Sequence, residues 1–370
     1  MLGSLRFLLA MLVLLSHANG VGFKINLGVV AVIIFYFISG YLMQRSYARF
    51  LCHSSQPVLS FVTDRILKLF PQYVIVVLAS FSAIACLGPA QQVLFMGQEP
   101  NLEKIFLNLS LLPANYVFAP LAIEEMLPHP IVPPAWSLAT EFHFYLLLPL
   151  VFLLPRRGLI LLFGVAAFIQ ISAMFFADGW FNSNNFGYRY IFGALTFFLF
   201  GYVYSKRRES GFEILARIIW FLYVSLFLIM APAFGLYDNP QVMEVVLGAV
   251  LAWPLVEFAL AASLPKAWMQ RADSLLGRLA YPIFISHFLS FYFCEKLLGL
   301  SSTQQIPYIP VAIAFCLTIS YGLLFMQERI DAYRLSRRGF QSMATLACVI
   351  LPNSSGHGFR HSSEPRRLPG

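Results

Sequence analysis

The sequence predicts an all-α polytopic membrane protein, a bundle of about ten transmembrane helices. Three observations carry that expectation. Hydrophobic residues make up 59% of the 370 and charged residues only 11%, against globular norms of about 45–50% and about 25%. Mean hydropathy is +0.73, more apolar surface than a soluble fold can hide. Finally, the basic residues fall almost entirely on one side of the alternating apolar runs, as cytoplasmic loops of membrane proteins do.

Runs long enough to cross a bilayer of about 30 Å lie near residues 5–21, 27–44, 68–87, 136–154, 158–177, 190–204, 214–231, 241–262, 279–298 and 307–326. The first also reads as a signal peptide, with Arg6 as its charged region, Phe7–Leu15 as its apolar core and Ala18-Asn19-Gly20 as a cleavage site. The immediate start of the next span favours a retained helix. If the N-terminus is inside, only Lys24, Lys104, Arg189 and Lys296 of the 25 basic residues are outside. Both termini are then expected in the cytoplasm, and a missed span would scramble this asymmetry. The long segment 88–135, with Glu124 and Glu125, is expected outside as a loop with a helix or two. Residues 1–338 read as one membrane domain and 339–370, rich in Ser, Gly, Pro and Arg, as a disordered cytoplasmic tail.

The net charge of +8 therefore reports membrane orientation, and no nucleic-acid partner is expected. Cys52, Cys86, Cys294, Cys316 and Cys348 are scattered without metal spacing, so no metal site or disulfide frame is expected, and those in apolar runs read as small buried hydrophobes. No internal repeat is visible, which weakens a transporter architecture.

Polar groups at membrane depth default to functional hypotheses. Arg6 is followed eleven residues later by His17, about 16 Å further along a helix and past mid-membrane. An imidazole there suits a general base, an acyl carrier or a packing residue. Arg65 and Lys68 share one helix face at the cytoplasmic boundary, as membrane anchors or as a clamp for a phosphorylated ligand. Glu141 follows the helix start Pro133-Pro134-Ala135-Trp136-Ser137 by about two turns, at a depth that permits a pair with His17; His143 points elsewhere around the helix. His287 falls mid-span in the ninth run.

Six fragments in order resemble the acyltransferase 3 family of multi-pass membrane O-acyltransferases, the O-antigen and exopolysaccharide acetylase type. They are the Arg6-x10-His17 helix, FYFISGYLM (Phe35–Met43), RILKLFPQY (Arg65–Tyr73), WSLATEFHFYLLLPL (Trp136–Leu150), LGRLAYPIFISHF (Leu276–Phe288) and QERIDAYR (Gln327–Arg334). The resemblance covers about residues 4–335 and implies a catalytic His17. The family's Arg-x-x-Arg motif falls on Arg65 and Lys68, a departure at the second position, and its Trp-Ser-Leu-x-x-Glu motif on Trp136, Ser137, Leu138 and Glu141. The soluble hydrolase-like domain that some members carry is not expected here. The implied activity is transfer of an acyl group, usually acetyl, from cytoplasmic acyl-CoA to a hydroxyl of an envelope or exported carbohydrate or glycolipid in a bacterial inner membrane. Acyl-CoA would be a co-substrate, with no bound cofactor. Arg6, Arg65 and Lys68 would hold its phosphates, His17 and Glu141 would do the chemistry, and Trp136, Ser137 and His287 would support the acceptor site. Two other classes stay open: a proton-coupled transporter or flippase using the buried His and Glu, and an assembly partner that would not need His17. A non-sugar acceptor is also open within the enzyme class, as is the oligomeric state.

Overall fold

In a computed structural model, residues 1–18, 25–99, 101–116, 130–175, 179–207, 209, 212–233, 235, 239–301 and 305–337 are described. The regular elements among them are helical: α1 (Leu2–His17), α2 (Leu27–His53), α3 (Pro57–Leu87), α4 (Leu102–Ser110), α5 (Ala135–Leu153), α6 (Arg156–Phe175), α7 (Ile191–Ser205), α8 (Phe212–Ala233), α9 (Pro240–Ala261), α10 (Ala267–Leu298) and α11 (Gln305–Arg337). Ten of these correspond to the ten expected spans, and α4 is the additional short helix. Among the described residues, eight helices are long and apolar enough to cross a membrane. Of the other two spans, α1 has only 16 residues, and α10 carries Tyr281, Ser286, His287, Ser290 and Tyr292 along its length. The chain is a multi-pass membrane protein. The tail, Lys24, Glu124 and Glu125 lie outside the described residues.

Local chemistry sets the helix ends. Asn26 caps α2 by accepting from the Gly28 amide at 2.9 Å, and Asn101 caps α4 through the Lys104 amide at 2.7 Å. Proline opens α3 and α9. The bundle is held by close backbone approach, the usual device where no hydrophobic effect drives helices together. A Cβ on Gly40 of α2 would meet the Phe198 carbonyl oxygen at 2.0 Å, and one on Gly201 of α7 would meet that of Phe37 at 1.9 Å. At the end where α1 begins, called the basic end below, Asp273 of α10 clamps the first turn of α1. It accepts from the Ser4 amide (2.8 Å), the Ser4 hydroxyl (2.7 Å) and the Gly3 amide (3.2 Å).

Two helices stop short of the far end: α1 ends at His17, before the expected limit near 21, and α5 starts at Ala135, as expected from the sequence, but below the level of its neighbours' ends. His17, the last residue of α1, stacks on His287, and α10 runs on eleven residues to Leu298, about 16 Å of rise. Phe142 of α5 packs on Phe70 of α3. From that level α3 rises about 26 Å to Leu87, whereas α5 begins only about 10 Å above it, at Ala135. The far end is therefore recessed. The described part of the segment between α3 and α5 carries the expected helix, α4, and packs into this recess. Asn108 of α4 is buried; its carbonyl accepts from Tyr73 Oη (2.6 Å) and its Oδ1 from the Ile131 amide (2.9 Å). Beyond it, Asn115 donates to the Arg189 carbonyl at 2.9 Å. These bonds supply the polar partners that irregular backbone needs at membrane depth. Of the cysteines, Cys294 and Cys316 are buried, but Cys52 and Cys86 are exposed, the latter on the turn of α3 that faces away from the bundle; Cys348 lies outside the described residues.

Candidate active site

Three helices place charged side chains around a cavity of about 120 Å³ in the bundle's interior: Arg6 from α1, Arg65 and Lys68 from α3, Glu141 from α5, with Ser39 from α2 and Tyr281 from α10. Arg65 and Lys68 reach it together because they are one turn apart. Arg65 is 5% exposed, which removes it from the role of a surface anchor. It pairs with the neighbouring Asp64 and donates to Met43 Sδ at 3.3 Å. Asp64 also faces Arg334 Nε of α11 at 3.8 Å, and Arg334 holds Asp331 at 3.0 Å. The three partners are nearly fully buried, so the charges are compensated in place. Glu141 accepts from Ser39 Oγ at 2.6 Å and from Tyr145 Oη. Its carboxylate is also the principal negative charge acting on Arg6.

Toward the basic end the site continues into a second cavity of about 250 Å³, which shares Arg6, Lys68 and Tyr281 with the first and adds Gln72, Arg278 and Gln327. Pro71 explains part of its wall. A proline inside a helix leaves the carbonyl four residues back without its amide donor. Here that carbonyl, of Leu67, accepts from Gln327 Nε2 at 3.1 Å.

The far end holds a third cavity of about 280 Å³, lined by His17, Ser16, Phe288, Phe291, Glu295 and Tyr308 among others. His17 stands exposed at its wall. Its Nδ1 lies 2.9 Å from the Val13 carbonyl oxygen, so that nitrogen carries the hydrogen and Nε2 the lone pair. His287 lies flat against it, ring centroids 5.2 Å apart at 24°. It is His287 that is fully buried, with Nδ1 3.3 Å from the Ile283 carbonyl oxygen. Its Nε2 has no partner among the described residues. Glu295 fixes the neighbouring backbone by accepting from the amides of Gln91, Gln92 and Val93 at 2.5–3.1 Å.

The structure thus brings Arg6, Arg65, Lys68, Glu141 and Ser137 to one cavity and His17 to another, with His287 stacked behind His17 and outside the cavity lining. The expected His17–Glu141 pair is not made. Eleven residues put His17 on the same face of α1 as Arg6 but about 16 Å higher. Because α5 starts in the recess, Glu141 sits at the level of Arg6, deeper than a start at the surface would place it. Trp136 lies outside both, beneath the Arg189 guanidinium at 5.4 Å and against Tyr188 at 5.5 Å. His143 does point away, bonding Tyr116 Oη at 2.9 Å. Sequence reasoning missed Asp64, Tyr145, Gln72 and Arg189 as parts of these environments. Lys68 to Gln72 is an i, i+4 step that would have flagged Gln72; no local signal marks Arg189.

Residues 2–325 match the acyltransferase 3 family, Acyl_transf_3, an acyltransferase domain. The chain belongs to that family and is a membrane acyltransferase. An uncharacterized protein of Aquifex aeolicus (strain VF5) is 31% identical to it over 205 residues, 53% of this chain and 86% of that protein. No solved structure matches.

Proposed function

We propose that the protein moves an acyl group, acetyl in the simplest case, from acyl-CoA on the cytoplasmic side to a hydroxyl of an envelope or exported carbohydrate or glycolipid. The observation that carries this reading is the arrangement of two kinds of chemistry along α1. A buried cationic cavity with Arg6, Arg65 and Lys68 opens toward the basic end, and an imidazole whose Nε2 carries the lone pair faces a cavity at the far end. Cations in a low-dielectric site suit the phosphates of a nucleotide donor. The third cavity, with aromatic walls and a few polar groups, suits a hydroxylated acceptor.

In this reading the donor enters from the cytoplasm, where both termini also lie, in a bacterial inner membrane. His17 Nε2 takes the proton of the acceptor hydroxyl as the oxygen attacks the thioester carbonyl. The carbon–sulfur bond then breaks, and the thiolate leaves and takes up a proton to give free CoA thiol. An acyl-imidazole on the same nitrogen is the covalent variant of this step. Glu141, held by Ser39 and Tyr145, acts as the counter-charge that keeps Arg6 in place and not as the group that orients His17. Ser137 stays at the wall of the donor cavity, and His287 supports His17 by stacking on it.

The test is consumption of acetyl-CoA by purified protein with an acceptor extract, combined with mass spectrometry of surface glycans from cells with and without the protein. Loss of acetyl groups from a glycan, with matching release of CoA in vitro, is expected. Binding of a carbohydrate without any CoA release would favour a carrier. Labelling of single cysteines at Gln98 and Gln270 from opposite sides of the membrane is expected; labelling from one side would overturn the orientation.

A further inference from the structure

We infer that Phe35 and Phe284 form the barrier between the donor cavity and His17, and that these two rings set the longest acyl group the enzyme accepts. The inference rests on the donor reading above and adds the residues that select the acyl chain.

The donor cavity has two chemically different ends. Its charged groups, Arg6, Arg65, Lys68 and Glu141, lie near Ser39 and Met43, which bond Glu141 and Arg65. Toward the far end the lining becomes Val32, Phe35, Tyr36, Ser137, Leu138 and Phe284. None of these is charged, and the Ser137 hydroxyl already donates to the Pro134 carbonyl at 2.9 Å. A largely apolar end beyond a cationic one suits the acyl end of a donor whose phosphates are held below.

That apolar end is closed. A Cβ on Gly28 would meet Ser16 Oγ at 2.2 Å, which puts Ser16 level with Gly28 where α1 and α2 meet. Val32, where the lining on α2 begins, is four residues lower, about 6 Å, so the cavity stops about one turn short of His17. Neither histidine lines it, and it shares no lining residue with the cavity at His17. Two aromatic rings line the donor cavity and also reach the histidine cluster. Phe35 and Phe284 meet edge to face, with centroids 6.0 Å apart at 70°. Phe284 stands 6.5 Å from the His287 ring, and Phe35 packs against the cluster that holds Leu14 and Phe288. His17 in turn stacks on His287 and lies 5.1 Å from Phe288. A short acyl group fits beneath the two rings, whereas each further methylene has to displace one of them against its packing. The same rings must turn aside for the thioester carbonyl to reach His17, so the barrier acts on every turnover.

The experiment is titration calorimetry on the full-length protein in lipid nanodiscs with CoA, acetyl-CoA and butyryl-CoA. Native protein is expected to bind butyryl-CoA no more tightly than acetyl-CoA, because the two extra methylenes meet the rings. Phe284→Ala is expected to bind butyryl-CoA about 10-fold more tightly than acetyl-CoA, the range for two methylenes moved from water into an apolar pocket. Its affinity for CoA itself should stay within about twofold of native. Phe35→Ala should act in the same direction. Because removing a packed ring can also loosen the bundle, Phe284→Leu, which keeps a smaller apolar side chain, is the second variant, with a smaller gain in the same ratio. An unchanged butyryl-to-acetyl ratio in all three variants, with CoA binding retained, overturns the barrier. So does a native protein that already prefers butyryl-CoA by about 10-fold. Loss of CoA binding in Phe284→Leu overturns it as well, since the rings would then hold the phosphate site together. If the native protein binds none of the three ligands, the donor reading fails and this inference with it.

Discussion

Removing the charge of Asp64 by Asp64→Asn is expected to destabilise the protein by about 3 kcal/mol. Its side chain is 4% exposed and lies between two arginines that are each 6% exposed, Arg65 and Arg334. Deleting one member of a buried ion pair leaves an uncompensated buried charge and typically costs about 3–5 kcal/mol. Arg334 retains Asp331 at 3.0 Å, so the lower end of that range applies. Replacing both charges, Asp64→Asn with Arg65→Gln, should recover most of the loss, since an exchanged neutral pair no longer buries a lone ion. The assay is thermal unfolding in detergent of the single and double variants, paired with CoA titration. The double variant should regain stability while still binding CoA weakly, which separates the packing role of Arg65 from its role toward phosphate. A single variant as stable as the native protein would refute the reasoning, because the pair would then be solvated and not buried.

Other consequences are more local. Gly40→Ala is expected to destabilise by about 1–3 kcal/mol, the range for overpacking, because its Cβ would stand 2.0 Å from a backbone oxygen of α7; normal thermal stability would mean that α2 and α7 can separate freely. Asp273 lies on the basic-end extension of α10, outside the expected span. Burial raises its carboxyl, but the Ser4 hydroxyl and the Ser4 and Gly3 amides outweigh that and hold it below the usual 3.8. A lowered carboxyl stabilises the fold above about pH 4 and loses that contribution as pH falls through the folded value. Asp273→Asn should therefore be less stable than native at pH 7, and the difference should shrink as the pH falls below about 4; a constant difference down to the acid limit of folding would contradict the assignment.

The fold was legible because lipid imposes a simple grammar: apolar runs of about 20 residues, with basic residues collected on one side. Arg6, Arg65 and Lys68 were legible as basic residues at the cytoplasmic boundary and through the family resemblance, and the structure places all three around one cavity. What composition and spacing did not reveal was depth. The length of an apolar run says that a helix crosses, not how deep it sits relative to its neighbours, so the early end of α1 and the recessed position of α5 were invisible and a His17–Glu141 pair stayed open. The re-entry of the segment around Asn108 and Asn115 was hidden too, because Asn-rich stretches read as solvent loops until their amides are seen bonding Ile131, Thr140 and Arg189.

The central claim is that His17 supplies the base. Its Nδ1 is engaged by Val13, so a glutamine can keep that one hydrogen bond while removing the basic nitrogen. The decisive measurement is acyl transfer from acetyl-CoA by purified His17→Gln protein, matched to native for expression, thermal stability and CoA binding. Loss of a general base is worth about 10²–10⁴ in rate, and a fall of that size with unchanged CoA affinity is the predicted result. A His17→Gln enzyme that keeps more than about a tenth of the native rate would contradict the account and transfer the role to His287.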